Sequence, residues 1–175
     1  MDNFTNPTAN DSLNLPSHST QHTNANDAIE AIESYLIASN GPAPRGVVRY
    51  VVNTSAALNL TTTAETGFFT AASFTPITGR LYEITYSIGS LIKTTTAGNI
   101  IIRLRKDSLA GAVVSSGLFS TVTAGIGGSF TKTQVANLGS TAFVPFLSVE
   151  ATTNGLTASN GVYDGCIIIK DIGLV

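Results

Sequence analysis

The chain has 175 residues, of which 43% are hydrophobic and only 11% are charged. Soluble proteins usually carry about a quarter charged residues, so we expect much of this surface to face other protein. The net charge of −2 leaves no basic stripe for nucleic acid, and no apolar run reaches the roughly 18 residues of a membrane span. The single cysteine excludes an intrachain disulfide. The N-terminus lacks the basic and apolar regions of a signal peptide, so we expect synthesis in a cytoplasm without export by a signal of its own.

Residues 1–23 are dominated by Asn, Thr, Ser, His and Asp and contain no Lys or Arg. Such a segment cannot bury a core of its own, so it predicts an extended arm that is held by a partner. Its apolar residues and its two histidines are the candidate docking contacts. They are Phe4, Leu13, Leu15, His18 and His22.

Residues 24–38, NANDAIEAIESYLIA, are predicted to form a short helix. An apolar seam runs along it with the spacing of a coiled coil, and its members are Ala25, Ile29, Ile32 and Leu36. Isoleucine at both kinds of seam position favours a bundle of three or more helices over a two-stranded coiled coil. Because a helix of about four turns is marginal alone, it needs a partner. It either packs on the β domain of its own chain or forms a parallel bundle on a three-fold axis.

His18 and His22 continue the register of the seam toward the N-terminus. In a parallel trimer, they would form two rings of three imidazoles facing the axis, and such rings can bind a metal. Hydrogen bonds within the arm or at a docking site are the expected role of these histidines. We therefore predict no metal and no other cofactor.

Residues 39–45 contain two prolines and predict a semi-rigid linker, and residues 46–175 follow as about eight to ten short strands. No second helix is apparent, which favours an all-β, antiparallel sandwich of the jelly-roll kind. Pro145 predicts a sheet edge or a bulge. The predicted strands are 46–52, 56–61, 67–75, 81–88, 99–106, 112–119, 129–135, 142–150 and 162–170. The predicted core residues include Phe68, Phe69, Phe74, Tyr82, Ile84, Tyr86, Ile88, Ile100, Ile102 and Leu104.

The predicted β domain offers no group of residues with an obvious catalytic arrangement. Both histidines lie in the arm, and the few carboxylates fall on outward strand positions or at strand ends. The glycine-rich loop at residues 125–128 lacks the lysine of a phosphate-binding loop. Because an enzyme needs reactive groups that converge on one site, we do not expect this chain to be an enzyme.

Two parts of the chain resemble proteins of tailed bacteriophages. Residues 16–36, PSHSTQHTNANDAIEAIESYL, resemble the N-terminal segment of fibre and minor tail proteins. In those proteins a His-x-x-x-His pattern and Asn-Asp-Ala-Ile lead into a short helix. Residues 46–52, the stretch FTPITGRLYEITY at 74–86 and the closing IIIKDIG at 167–173 resemble the small β-sandwich that ends many tail, collar or head-fibre proteins.

The resemblance implies a structural virion protein, which is a short homotrimeric fibre, spike or head-decoration protein. Its N-terminal arm would dock on other virion proteins of the capsid, collar or tail, with the β-sandwich knob facing outward. The chain lacks the shaft of a long fibre, so head, collar and tail locations all stay open. The alternative is a receptor-binding knob that recognises host-surface glycan through Asn154, Asn160 and Tyr163, although the absence of Trp argues against an aromatic platform.

Overall fold

A computed structural model describes residues 18–37, 44–54, 58–121, 123–158 and 165–174. The chain divides into two compact units, Met1–Pro42 and Ala43–Val175. The first unit contains the helix, and the second contains the strands. The elements are α1 (His18–Ile37), β1 (Gly46–Val52), β2 (Leu58–Leu60), β3 (Thr66–Thr70), β4 (Arg80–Lys93), β5 (Gly98–Lys106), β6 (Val113–Thr121), β7 (Gly127–Ala136), β8 (Pro145–Ala151), β9 (Leu156–Ala158) and β10 (Gly165–Leu174).

The helix begins at His18 rather than at Asn24, so residues 18–23 belong to the helix and not to the predicted extended arm. Once a helix is nucleated, each further residue adds one backbone hydrogen bond. Nothing between Pro16 and Gly41 is a proline or a glycine, so no strong helix breaker interrupts this stretch.

The strands form two antiparallel sheets, which confirms the predicted all-β sandwich. The first sheet has the order β1-β10-β4-β9-β2, and β7 also pairs with β4. The second sheet has the order β3-β8-β5-β6. β9 was missed from the sequence, because three residues are too few to show an alternation of apolar and polar side chains.

Two adjacent strands of the first sheet are each broken into two segments, at the same point along β4. β9 and β10 both pair with β4, and β2 and β1 pair in turn with β9 and β10. If each interrupted pair is counted as one strand, the described part of the domain has four strands in each sheet. The chain then passes between the sheets in the order of a jelly roll, with first and last strands adjacent.

The core lies between the sheets and follows the predicted alternation. The inward positions of β4 and β5 are fully or almost fully buried, from Tyr82 to Ile88 and from Ile100 to Leu104. The hydroxyl of Tyr86 on β4 donates a hydrogen bond of 2.9 Å to Ser115 Oγ on β6, which joins the two sheets. Burial raises the pKa of Tyr86. Phe68, Phe69 and Phe74 are only partly buried and pack against the margin of the core.

Pro145 is the first residue of β8, which lies between β3 and β5 inside the second sheet. The prediction of a sheet edge or a bulge at Pro145 is therefore wrong. A proline lacks the N–H donor that an interior strand needs, but the first residue of a strand tolerates this loss. Its carbonyl still accepts a hydrogen bond of 2.9 Å from the Ala71 N–H.

A buried ion pair joins the start of β4 to β10. Arg80 Nε donates to Asp171 Oδ2 at 2.6 Å, and the two side chains are 0% and 1% exposed. Asp171 Oδ1 accepts a second hydrogen bond, of 3.0 Å, from the Gly173 N–H. Gly173 lies beside a register shift in β10 and has a φ of 114°, which a glycine adopts without strain. The pair thus holds β10 against the start of β4.

Candidate functional site

The predicted seam lies on one side of α1. At 100° per residue, its four positions fall within an arc of about 60°. The side chains of Ile29 and Ile32 are 54% and 59% exposed, and the neighbouring Tyr35 is 64% exposed. Ala25 is exposed as well, and Leu36 occupies the next position of the seam. An apolar stripe that is exposed in the single chain is the kind of surface that a partner covers.

The two histidines occupy the first turns of the same helix. His18 and His22 fall on the side of the seam, as their spacing indicated. Within the described ranges, no group of three or more His, Cys, Asp or Glu side chains is placed to hold a metal ion in one chain. The other predicted docking residues, Phe4, Leu13 and Leu15, lie outside the described residues.

The residues predicted to contact a glycan are only partly described. Asn154 lies in the connection between β8 and β9, where its side chain is exposed. Its carbonyl accepts hydrogen bonds from Lys93 Nζ at 2.9 Å and from Thr95 Oγ1 at 3.1 Å, so the backbone here is held in place. Asn160 and Tyr163 lie outside the described residues, and the predicted trio stays a prediction.

Lys93, which the sequence did not single out, is fully buried at the end of β4. Its ammonium group donates to the carbonyls of Thr153 and Asn154. Burial lowers the pKa of Lys93, because the charged form loses its hydration. Through these two hydrogen bonds, Lys93 holds the β8–β9 connection in place. A register shift between Ile88 and Leu91 changes the phase of the alternation in β4, so the pattern from Tyr82 to Ile88 would place Lys93 on the outer side and does not reveal its burial.

A cleft of about 400 Å³ opens beside the end of β1 and the edge strand β3. Phe68 and Phe69 meet edge to face there, with ring centroids 5.1 Å apart. Gly67 leaves room for the ring of Phe146, because a Cβ at Gly67 would lie 2.6 Å from Phe146 Cζ. The buried Asn53 and the exposed Thr54 contribute polar groups. Aromatic faces beside amide and hydroxyl groups are suited to binding a sugar ring.

A cluster of charged groups lies on the outer surface of the second sheet. Glu65 accepts hydrogen bonds from Arg105 Nε at 2.6 Å and from Ser148 Oγ at 2.5 Å, and it pairs with Arg103 at 3.0 Å. Arg103 also pairs with Glu150 at 2.5 Å. The hydrogen bond from Arg105 holds the pKa of Glu65 below its ordinary value, despite partial burial.

This cluster contains two carboxylates close together, which a glycosidase also needs. A glycosidase requires one carboxyl group that stays protonated near neutral pH, and its pKa must therefore be raised. The pKa of Glu65 is lowered instead, and its oxygens are occupied by guanidinium groups. These contacts link the edge strand β3, over β8, to β5. The charges therefore stabilise the second sheet.

No protein-family model and no curated protein matches the chain. Among solved structures, a protein of the disulfide-linked pili of Bacillus endospore appendages is 17% identical with a TM-score of 0.37, over 79% of this chain and 96% of that chain. A carbohydrate-binding module of Cellvibrio mixtus lichenase 5A is 13% identical with a TM-score of 0.36, over 75% and 92%. A structure of infectious bursal disease virus, strain Gx, is 10% identical with a TM-score of 0.42, over 75% and 38%. Similarities at this level do not identify a function.

Within the described residues, no helix is long and apolar enough to cross a membrane.

Proposed function

We propose that this chain is a structural protein of a tailed-bacteriophage virion, a short homotrimeric fibre, spike or decoration protein. The N-terminal arm docks on another virion protein of the capsid, collar or tail, and the β domain faces outward. The observation that carries the proposal is the exposed seam on α1, where Ile29 and Ile32 are 54% and 59% exposed. The resemblance to phage fibre and minor tail proteins supports the same role.

The seam favours association of three helices for physical reasons. Covering a large apolar side chain contributes about 1.5–3 kcal/mol, and a trimer covers Ile29 and Ile32 from every chain. Isoleucine at both seam positions packs better around a three-fold axis than in a two-stranded coil. Glu30 and Glu33 lie off the seam, so they stay in water when the bundle forms.

Light scattering of the purified full-length protein tests this proposal. We expect a mass of three times 18.1 kDa at micromolar concentration. Replacing Ile29 and Ile32 together by Asp places like charges on the axis and is expected to dissociate the trimer. The matched control replaces Ala31 and Ser34 by Asp on the far side of the helix, and it keeps the mass of the wild type. A monomeric wild-type protein contradicts the proposal.

The alternative function is recognition of host-surface glycan by the β domain, and the cleft beside Phe68 and Phe146 supports it. A glycan array with the full-length protein tests this alternative. Replacing Phe68 by Leu keeps an apolar side chain and removes the aromatic face, so it is expected to abolish glycan binding. Phe130→Leu, away from the cleft, is the matched control. An array without a bound glycan contradicts the alternative and leaves the structural role intact.

The proposed role assigns no catalytic residue to this chain. Hydrolysis of a host polysaccharide by the purified protein would contradict that part of the proposal.

A further inference from the structure

A second cleft, of about 360 Å³, opens beside the start of β1 and the segment that precedes β4. This volume lies in the lower part of the range of about 300–1,000 Å³ that is usual for small-molecule sites. We call it the arginine cleft, and none of its residues borders the cleft beside Phe68. Its lining includes Arg45, Val48, Phe74, Thr75, Tyr82 and Asp171.

Phe74 forms an apolar wall of the arginine cleft that is fixed in place. Its N–H donates to the Phe143 carbonyl at 3.1 Å, and the Phe143 N–H donates to the Phe74 carbonyl at 2.9 Å. The ring of Phe74 meets the rings of Tyr82 and Phe143 edge to face, with centroids 5.9 Å and 5.8 Å apart. A wall that is already ordered costs little further entropy when a ligand binds.

The arginines of the chain differ in whether a carboxylate offsets their charge. Arg80, Arg103 and Arg105 are paired with Asp or Glu side chains. In the part of the chain that the structure describes, Arg45 and Arg49 have no carboxylate partner. Arg45 is exposed and lines the arginine cleft.

Arg49 adds positive charge beside the same wall. Its guanidinium carbon lies 5.8 Å from the centroid of the Phe74 ring, and its Nη2 donates to the Ser73 carbonyl at 2.7 Å. Its Nε is buried and has no hydrogen-bond acceptor among the described residues. One carbonyl and one aromatic ring offset a guanidinium charge only in part, so an anion nearby is favoured.

Asp171 is the one carboxylate of the lining, and its charge is already offset. Its Oδ2 accepts from Arg80 Nε at 2.6 Å, and its Oδ1 accepts from the Gly173 N–H at 3.0 Å. The ion pair with Arg80 is buried. The lining therefore has one positive charge that no carboxylate within the described residues balances, that of Arg45.

Two hydroxyl groups complete the polar part of the lining. Tyr82 is only 2% exposed, and its phenolic oxygen accepts a hydrogen bond from the Ile77 N–H at 2.8 Å. The proton of that hydroxyl is left for another acceptor, and no described residue supplies one. Thr75 is exposed and adds a second hydroxyl. Hydroxyls that can both donate and accept are suited to the hydroxyls of a sugar ring.

We propose that the arginine cleft binds an acidic sugar residue, one that carries a carboxylate. Arg45 pairs with the carboxylate, the hydroxyls of Tyr82 and Thr75 bond to ring substituents, and Phe74 packs against an apolar side of the sugar. A single balancing charge matches a carboxylate, whereas a phosphate group carries more negative charge than Arg45 offsets. This activity goes beyond the structural role proposed above and does not depend on it, because the whole cleft belongs to the β domain of one chain.

Saturation-transfer NMR with the full-length protein tests the inference. The two probes are methyl glucuronide, which carries a carboxylate, and methyl glucoside, which has the same ring without a charge. We expect the glucuronide to bind about tenfold or more tightly than the glucoside, because a hydrogen bond to a charged group contributes about 1.5–3 kcal/mol. Equal binding of the two sugars, or no binding of either, overturns the inference.

Arg45→Gln removes the charge from the cleft at an exposed position and keeps a polar side chain. It is expected to abolish the preference for the glucuronide. Lys132→Gln is the matched control, because it removes one positive charge from β7, which pairs with β4 on the side away from β10. This control is expected to keep the preference. An equal loss in the two variants would show a general effect of net charge and would overturn the assignment to Arg45.

Competition experiments separate an acidic sugar from other anions. Acetylaspartate amide, a probe for an acidic peptide, and inorganic phosphate are each expected to displace the glucuronide poorly. Displacement by either compound at the concentration of the sugar itself overturns the assignment to a sugar. None of these results bears on the proposed trimer, whose mass is measured separately by light scattering.

Discussion

Replacing Asp171 by Asn is expected to destabilise the β domain strongly, because it removes the carboxylate that pairs with the buried guanidinium of Arg80. The two side chains are 0% and 1% exposed, so water cannot hydrate the guanidinium in the folded protein. Breaking a buried ion pair on one side costs about 3–5 kcal/mol. At about 2–4 °C for each kcal/mol in a domain of this size, the melting temperature falls by about 6–20 °C. Urea unfolding followed by circular dichroism measures the free energy of unfolding directly.

The double variant Arg80→Met/Asp171→Leu separates the cost of breaking the pair on one side from the contribution of the whole pair to stability. It replaces both partners by apolar groups, and we expect it to recover most of the lost stability. Glu83→Gln is the control for an exposed pair, since Lys170 and Glu83 are 46% and 34% exposed, and it should change stability by less than about 1 kcal/mol. If Asp171→Asn costs no more than Glu83→Gln, the reasoning from burial is wrong.

Two further predictions concern acid stability and docking. The pKa of Glu65 is lowered in the folded state by the hydrogen bond from Arg105, so its contribution to stability is complete above the ordinary value of 4.5. That contribution is lost as the pH falls below 4.5 and through the folded pKa. The urea midpoint should therefore fall less with decreasing pH in Glu65→Gln than in the wild type. An equal fall in the two proteins would refute this assignment. Deleting residues 1–17, which precede α1, is expected to leave a folded trimer that no longer joins phage particles. Electron microscopy of particles assembled with the truncated protein checks the result, and normal incorporation would contradict the docking role of the arm.

Much of this fold follows from local patterns in the sequence. The alternation of Tyr82, Ile84, Tyr86 and Ile88 determined which side of β4 faces the core, because successive strand residues point to opposite faces. The seam of α1 was equally visible, since the period of a helix places its members on one side. Both patterns depend only on near neighbours along the chain.

The tertiary structure alone decided which of these segments are adjacent. Arg80 and Asp171 are 91 positions apart, and Glu65 and Arg105 are 40 positions apart, so no local pattern links either pair. Pro145 could be placed inside the second sheet only once its strand order was known. Side-chain direction is a property of a single strand, whereas the neighbours of a strand depend on how the whole chain closes its loops and packs its core.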